Sequence, residues 1–306
     1  MKKILITGGS GFIGKTLINQ LLLNNFKVHC YDLKNFKSNS KNFKFFKGNI
    51  LDKEKINLAI KGCEIVIHLA ASLGVLNTEK NNLECLDSNI FGTKNILEIA
   101  AKNKIKKFIF ASSSEIYGEQ KIFPISEKAE PKFKSIYGLS KITAESYVKA
   151  YYQKYKMKYN IIRYFNVYGE DQRHDFVISK FTRNIKKNKD LTVYGDGGQI
   201  RSFCHVNDAV AGTLEIIRRA NFNTTYNVGN NLEPISMIKL AKKMIKISKK
   251  NIGIDKINFK DSDRTQEREI FKRIPDISKI TRDTKYKPKN TLESGIKSFY
   301  KKYGVK

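Results

Sequence analysis

Eleven residues close to the amino terminus, "ITGGSGFIGKT" from Ile6 to Thr16, constrain this chain more than any other feature. They fit two phosphate-binding patterns at once. Read from Gly8 they form G-x-x-G-x-x-G, with Gly8, Gly11 and Gly14 in phase, the turn that seats a dinucleotide. Read from Gly9 they form G-x-x-x-x-G-K-T, ending Gly14-Lys15-Thr16, the phosphate loop of an ATPase or GTPase. Both patterns require a strand, a glycine turn and a helix amino terminus, because both set phosphate against free backbone N–H groups and a positive dipole end.

The surrounding pattern supplies the sheet. Short β-branched or aromatic runs alternate with helical periodicity, which predicts βαβ units and an α/β fold with a doubly wound parallel sheet. Strands are expected at Lys3 to Thr7, Lys27 to Tyr31, Phe43 to Lys47, Glu64 to Leu69, Lys107 to Ala111 and Tyr159 to Tyr164. Helices are expected at Phe12 to Asn24, Asp52 to Ile60, Asn89 to Asn103 and Tyr137 to Tyr155. After Asn166 the order loosens into the turn "YGDGG", a strand-like "RSFCHV" and a lysine-rich helix starting near Pro234. This second part is expected to cap the carboxyl edge of the sheet, where open α/β sheets bind ligands.

Residues away from the turn separate its two readings. A phosphate-loop enzyme needs a strand ending in Asp for its metal, whereas "EIVIHLAA" ends in alanines and "KKFIFASSSE" in serines. A dinucleotide fold needs an acid at the end of the second strand, about 20 residues on, for the adenosine ribose. "KVHCYD" ends at Asp32, whose charge repels a 2′-phosphate and favours NAD over NADP. Lys15 and Thr16 are then first-turn helix residues.

Composition excludes several other classes. Lys and Arg number 58 against 29 Asp and Glu, a formal +29, but the lysines are spread along the whole chain and no nucleic-acid-reading motif accompanies them. No specific nucleic-acid partner is expected. The longest apolar run, Ile65 to Ala71, falls short of the roughly 18 residues of a membrane span. Met1-Lys2-Lys3 runs directly into a strand, so a cytoplasmic location is expected. Cys30, Cys63, Cys85 and Cys204 are far apart, which predicts reduced, buried thiols and no metal site. His29 and His174 lack metal-ligand partners, while His68 and His205 read as packed or structural.

The chemistry lies in "FASSSEIYG" and "SIYGLSK". Tyr137 and Lys141 stand i, i+4 on one helix face. A lysine ammonium beside a bound nicotinamide depresses a phenol's pKa, and a serine from the neighbouring strand end can hold the same substrate oxygen. A Y-x-x-x-K match alone is worth little in so lysine-rich a chain; its value comes from following a serine-rich strand end and an NAD turn.

The series "TGGSGFIG", Asp32, "HLAA", "NIFGT", "SSSEIYG", "YGLSK", "RYFNVYG" and "GDGGQIRSFCHVND" resembles the extended short-chain dehydrogenases/reductases, the nucleotide-sugar epimerases and dehydratases. The resemblance implies a Rossmann domain at 1–165 with a returning segment near 201–228, and a smaller mixed α/β substrate-binding cap at 166–200 and 229–306. It implies an NAD site lined by Gly8, Gly11, Phe12, Ile13, Gly14, Asp32, Asn49, Ile50, Leu69, Ala70, Ala71, Asn89, Tyr137 and Lys141. Asn49 stands where the family usually has Asp, so its amide would have to bond the adenine. Ser113, Tyr137 and Lys141 are implied as catalytic, with Ser114 near the sugar. Asn166 and Arg201 are implied on the substrate diphosphate, with Arg264 or Arg268 as a second guanidinium.

The implied reaction is transient oxidation at C4 of an NDP-hexose. A 4-epimerase is the leading expectation. The alternative is a 4,6-dehydratase with Glu115 as C5 base, although Ser114 occupies the place of the usual acidic Asp. Decarboxylating relatives are set aside because their tyrosine helix normally opens differently. A catalytically silent NAD-binding scaffold would show damage in the Ser/Tyr/Lys set, which is intact here. A homodimer through the helices near Asn89 and Tyr137 is implied by the same resemblance.

Overall fold

The computed structural model of the chain describes residues 2–73, 78, 81–261 and 269–305. Its first half runs β1 (Lys3–Thr7), α1 (Phe12–Leu23), β2 (Lys27–Asp32), β3 (Phe43–Lys47), α2 (Lys53–Ile60) and β4 (Ile65–His68). A long helix α3 follows in three stretches, Asn82–Leu86, a π turn at Asp87–Phe91, and Gly92–Lys102. Next come β5 (Lys107–Ser113), a 3-10 turn at Ser114–Tyr117, α4 (Ile136–Tyr155) and β6 (Lys158–Tyr164).

The second half comprises β7 (Val167–Tyr168), α5 (Val177–Lys186), β8 (Leu191–Tyr194), β9 (Ile200–Ser202), β10 (Cys204–His205), α6 (Val206–Arg219) and β11 (Thr224–Val228). It continues with β12 (Pro234–Ser236), α7 (Met237–Ser248), β13 (Ile254–Ile257), β14 (Lys272–Arg273), α8 (Ser278–Asp283) and α9 (Leu292–Tyr303).

Seven parallel strands form one sheet in the order β3-β2-β1-β4-β5-β6-β11. Strand order reverses between β1 and β4, so a crevice opens beyond their carboxyl ends. The central strands are buried on both faces, as their continuous apolar runs require: β4 is buried throughout and β1 from its second residue on. One face packs α1 and α6, through Leu17, Ile18, Leu21, Ala209 and Val210. The other packs α2, α3 and α4, through Ile56, Ile60, Ile96, Leu97, Ala144 and Val148. A third core, in which Leu240 and Met244 of α7 meet Phe181, Ile296 and Phe299, joins α5, α7 and α9 outside the sheet.

The structure departs from the expected elements at several places, among them the helix expected from Asn89, which begins at Asn82. The sheet gains a seventh strand, β11, whose buried Tyr226, Asn227 and Val228 pair with β6. β5 runs on through Ser113 because Ser112 and Ser113 pair with Arg163 and Tyr164 of β6. "RSFCHV" divides: β9 joins β12 and β14, whereas β10 joins β7, so the strand-like run serves two small sheets. The lysine-rich helix starts at Met237, with Pro234 in a strand and the Ser236 side chain accepting the Lys239 N–H as its cap.

Candidate active site

The opening turn carries the geometry of its first reading. Gly8 has a φ of +72°, and a Cβ there would stand 2.5 Å from the Ala70 backbone nitrogen. Gly14 is equally constrained, since its Cβ would lie 2.5 Å from the Gly8 carbonyl oxygen. Helix α1 thus approaches the turn as closely as backbone allows. Its N-cap is Gly11, which offers no side-chain oxygen, whereas Asp52, Ser135, Ser236 and Thr291 cap α2, α4, α7 and α9. The first-turn N–H groups, which include those of Phe12 and Ile13, therefore face the crevice without a side-chain partner, a ready seat for pyrophosphate.

Asp32 closes the far side of this seat. Its carboxylate accepts the backbone N–H of Ser10 and of Lys34, each at 2.9 Å. Two backbone donors orient it and leave further lone pairs for ribose hydroxyls. The Asn49 side chain accepts the Leu51 N–H at 3.0 Å, which turns its oxygen into its own loop. Ile50 is buried under α3, against Gly92. The Asn89 side chain accepts the Ser72 N–H at 2.8 Å and donates to the Ser72 carbonyl and Ser140 Oγ, both at 3.0 Å. It ties the segment Leu69–Ala70–Ala71 to α4 from within a π turn, a departure from regular helix that often marks a functional position.

On α4, Ser135 caps the amino end by accepting the Gly138 N–H at 3.1 Å. Tyr137 and Lys141 follow on one face, the ammonium 5.7 Å from the tyrosine ring centroid. Lys141 is buried and donates to the Ala111 carbonyl at 2.9 Å, and burial brings its pKa down to about 8. Ser113, at the end of β5, accepts the Glu115 N–H at 3.2 Å and lies on the Tyr137 side of the strand end. Ser114 is buried directly behind it. The three residues of the expected catalytic set therefore lie near one another.

In the chain on its own, burial holds the Tyr137 phenol well above its ordinary range, the Glu115 carboxylate pushes the same way, and the Ser113 hydrogen bond opposes them. Lys141, turned onto the Ala111 carbonyl, does not depress it. The positive charge of an oxidised nicotinamide would have to supply the rest.

A buried network fixes α4 in place. Arg163 of β6 donates to Glu145 through Nε at 3.0 Å and Nη2 at 2.7 Å, while Ser112 Oγ donates to the same carboxylate at 2.5 Å. Arg163 also donates to the Tyr117 hydroxyl at 2.8 Å, and Tyr117 donates to Asn227 of β11 at 2.7 Å. Glu145 stands eight residues after Tyr137 on the same helix, a spacing that could have flagged it.

The small sheets outside the main one present a cluster of charge. Asn166 sits at a φ of +37° where the chain leaves the sheet, donating to the Ser202 carbonyl at 3.2 Å. Next to it, Arg201 of β9 is paired in register with Arg273 of β14. Arg201 donates to Glu269 at 2.7 Å, and burial followed by the Arg273 charge lowers its pKa to about 10. Arg273 donates to Glu115 at 2.8 Å. The sequence reading missed Arg273; its companions there, Arg264 and Arg268, lie outside the described residues.

His68 is fully buried, Nδ1 2.6 Å from Thr7 Oγ1 and Nε2 3.0 Å from Thr93 Oγ1. Because Thr93 donates to the Asn89 carbonyl at 2.6 Å, the histidine proton belongs on Nε2. All four cysteines are free and buried, and no metal-holding cluster occurs among the described residues. Among those residues no helix is long and apolar enough to cross a membrane.

The strand order, the uncapped helix behind a glycine turn, and a serine, a tyrosine and a lysine near the carboxyl edge define a dinucleotide-dependent enzyme fold. More narrowly, a model of the NAD dependent epimerase/dehydratase family matches residues 4–229, and the chain belongs to that family. Its cofactor is NAD. A putative UDP-glucose 4-epimerase of Methanocaldococcus jannaschii is 37% identical over 96% of each chain. A UDP-N-acetyl-alpha-D-glucosaminuronate decarboxylase of Bacillus cytotoxicus is 34% identical over 97% of this chain and 96% of its own. Among solved structures, the UDP-glucuronic acid 4-epimerase of Bacillus cereus, in complex with UDP-glucuronic acid and NAD, has a TM-score of 0.91 at 28% identity, over 99% of each chain. Decarboxylases thus resemble the chain about as closely as epimerases do, so the opening of the tyrosine helix does not set that outcome aside.

Proposed function

We propose that the protein is a 4-epimerase of an NDP-hexose. The cofactor supplies a reversible two-electron acceptor at C4. Pyrophosphate would rest on the first-turn N–H groups behind Gly8, Gly11 and Gly14, with Asp32 on the adenosine ribose and the Asn49 amide near the adenine. Residues 1–165 with the 201–228 return would form this half of the site, and the remaining segments the substrate cap. Asn166 and Arg201 would meet the diphosphate, where a guanidinium can bind phosphate oxygens in pairs. Tyr137 takes the proton of the C4 hydroxyl, Ser113 holds the same oxygen, and Lys141 fixes the helix face that presents the phenol. Epimerisation asks nothing more of the chain than room for the 4-keto sugar to turn over.

The observation that favours this outcome over 4,6-dehydration is the Arg273–Glu115 pair at 2.8 Å. Taking up a C5 proton would discharge the carboxylate that accepts from the Arg273 guanidinium, so the pair opposes the use of Glu115 as a base. The test is incubation of the purified protein with UDP-, dTDP- and GDP-hexoses, followed by mass spectrometry and chiral sugar analysis. A C4 epimer of unchanged mass is expected; loss of water or of carbon dioxide overturns the reading. An intact Ser113–Tyr137–Lys141 set speaks against a silent scaffold. Leu83 and Phe91 of α3, 77% and 52% exposed, support a homodimer through α3 and α4.

A further inference from the structure

We propose that His68 and Thr93 are positioning residues for the dinucleotide: with Asn89 they close a ring of hydrogen bonds around Leu69–Ala70–Ala71 and hold that wall of the cofactor seat against the glycine turn. The ring asks nothing of the sugar and so goes beyond the epimerase reading; it rests on the placement of NAD between the glycine turn and this segment.

The wall begins where two strands end side by side. Thr7 of β1 and His68 of β4 are partners in register, and the Leu69 N–H still donates to the Thr7 carbonyl at 3.0 Å. Past that bond the chain after β1 turns toward β2, where the Gly8 N–H donates to the Tyr31 carbonyl at 2.9 Å. Gly8 nevertheless stays in contact with the wall, since a Cβ on it would meet the Ala70 nitrogen at 2.5 Å. Because Gly8 brings no side chain to this contact, the bonds around the segment have to fix its position.

Those bonds form a closed circuit. At the start of the segment His68 Nε2 donates to Thr93 Oγ1 of α3 at 3.0 Å, and Thr93 donates to the Asn89 carbonyl at 2.6 Å. At its finish the Asn89 side chain accepts the Ser72 N–H at 2.8 Å and donates to the Ser72 carbonyl at 3.0 Å. Both ends are thereby bound to Asn89, one through its carbonyl and the other through its amide. Asn89 also donates to Ser140 Oγ, which donates to the Tyr137 carbonyl at 2.8 Å, so the circuit is fastened to α4 as well. His68, Thr93, Asn89 and Ser140 are buried, and none of their side chains leaves a polar atom without a partner. A buried network satisfied in this way specifies a single geometry.

The circuit also has a direction. Thr93 commits its one proton to the Asn89 carbonyl, so its oxygen can only accept and the imidazole has to present a proton on Nε2. Nδ1 is then an acceptor, and the Thr7 hydroxyl, 2.6 Å away, donates to it. Packing by itself is indifferent to this order, because a methyl in place of the Thr93 hydroxyl fills the same space. Without the hydroxyl, however, a buried N–H is stranded and the imidazole loses its hold on α3.

The experiment uses the full chain. Nuclear magnetic resonance of the histidine ring nitrogens, with His68 assigned by the loss of its signals in His68→Gln, reads which nitrogen carries the proton. Nε2 is expected, and a proton on Nδ1 overturns the proposal. Calorimetric titration then gives NAD affinity for Thr93→Val, Thr93→Ser and Thr213→Val. The last is the control: Thr213 Oγ1 lies 2.6 Å from the Tyr164 hydroxyl on the opposite face of the sheet, so its loss costs stability without touching the circuit. Thr93→Val is expected to weaken NAD binding about tenfold, the scale of one buried hydrogen bond. Thr93→Ser is expected to keep the wild-type affinity, and Thr213→Val to leave it unchanged. Affinity unmoved in Thr93→Val, or lowered as much in Thr213→Val, overturns the proposal. Gly14→Ala tests the placement of the cofactor separately. If it leaves NAD affinity intact, that placement fails and the proposal with it; if it weakens NAD while Thr93→Val does not, only the role of the ring is lost.

Discussion

Arg163 and Glu145 meet as a two-pronged pair, Nε to Oε1 at 3.0 Å and Nη2 to Oε2 at 2.7 Å, between β6 and the helix that carries Tyr137. Both side chains are sealed from solvent, so neither charge can be rescued by water if the other is removed. Arg163→Met is expected to destabilise the fold by about 3–5 kcal/mol. Replacing both partners with apolar residues should recover a large part of that loss. Urea unfolding of the single and double variants checks both statements.

The two readings of the opening turn separate by mutation. Gly14→Ala places a Cβ 2.5 Å from the Gly8 carbonyl, so α1 must back away from the turn. NAD affinity should fall at least about tenfold, equivalent to about 1.4 kcal/mol. Lys15→Ala, which removes the residue a phosphate loop depends on, should leave NAD affinity nearly unchanged. Calorimetric titration with NAD decides, and the reverse order of effects would restore the phosphate-loop reading.

Asp32 is expected to set which dinucleotide the seat accepts. Asp32→Ala removes the ribose partner and the charge that repels a 2′-phosphate, so affinity for NAD should drop while that for NADP rises relative to it. The measurement is the ratio of the two dissociation constants; an unchanged ratio would place the ribose elsewhere.

His68 makes folding sensitive to acid. Burial, with the Lys141 charge behind it, lowers its folded pKa to about 3, against an ordinary value near 6.5. Between those two values the unfolded chain binds a proton that the folded chain refuses, so stability falls as pH drops, by up to about 1.4 kcal/mol per unit. Above about 6.5 both forms are neutral and the term vanishes. Urea unfolding from pH 7 to pH 4 should show a smaller slope for His68→Asn than for wild type, whatever the carboxylates add to both.

The Tyr137→Phe variant should retain NAD and lose turnover by about two to four orders of magnitude, the usual contribution of a positioned acid or base. Retained turnover would move the proton transfer to another group.

Local pattern carried much of this molecule. The apolar runs from Lys3 to Thr7 and from Ile65 to His68 become the two central strands because a run buried on both faces has no other place to go. The glycine phase, Asp32 and the i, i+4 relation of Tyr137 to Lys141 are likewise matters of spacing along one element, visible before any folding. Pairings across the chain were not visible. Thr224 to Val228 joins the main sheet only because the chain returns to β6, and Arg273 reaches Glu115 only because β14 lies in register beside β9. Nothing in the periodicity of a two-residue strand specifies its partner. Such contacts close loops of 64 to 158 residues, and they are chosen by the mutual fit of whole elements rather than by the residues that touch.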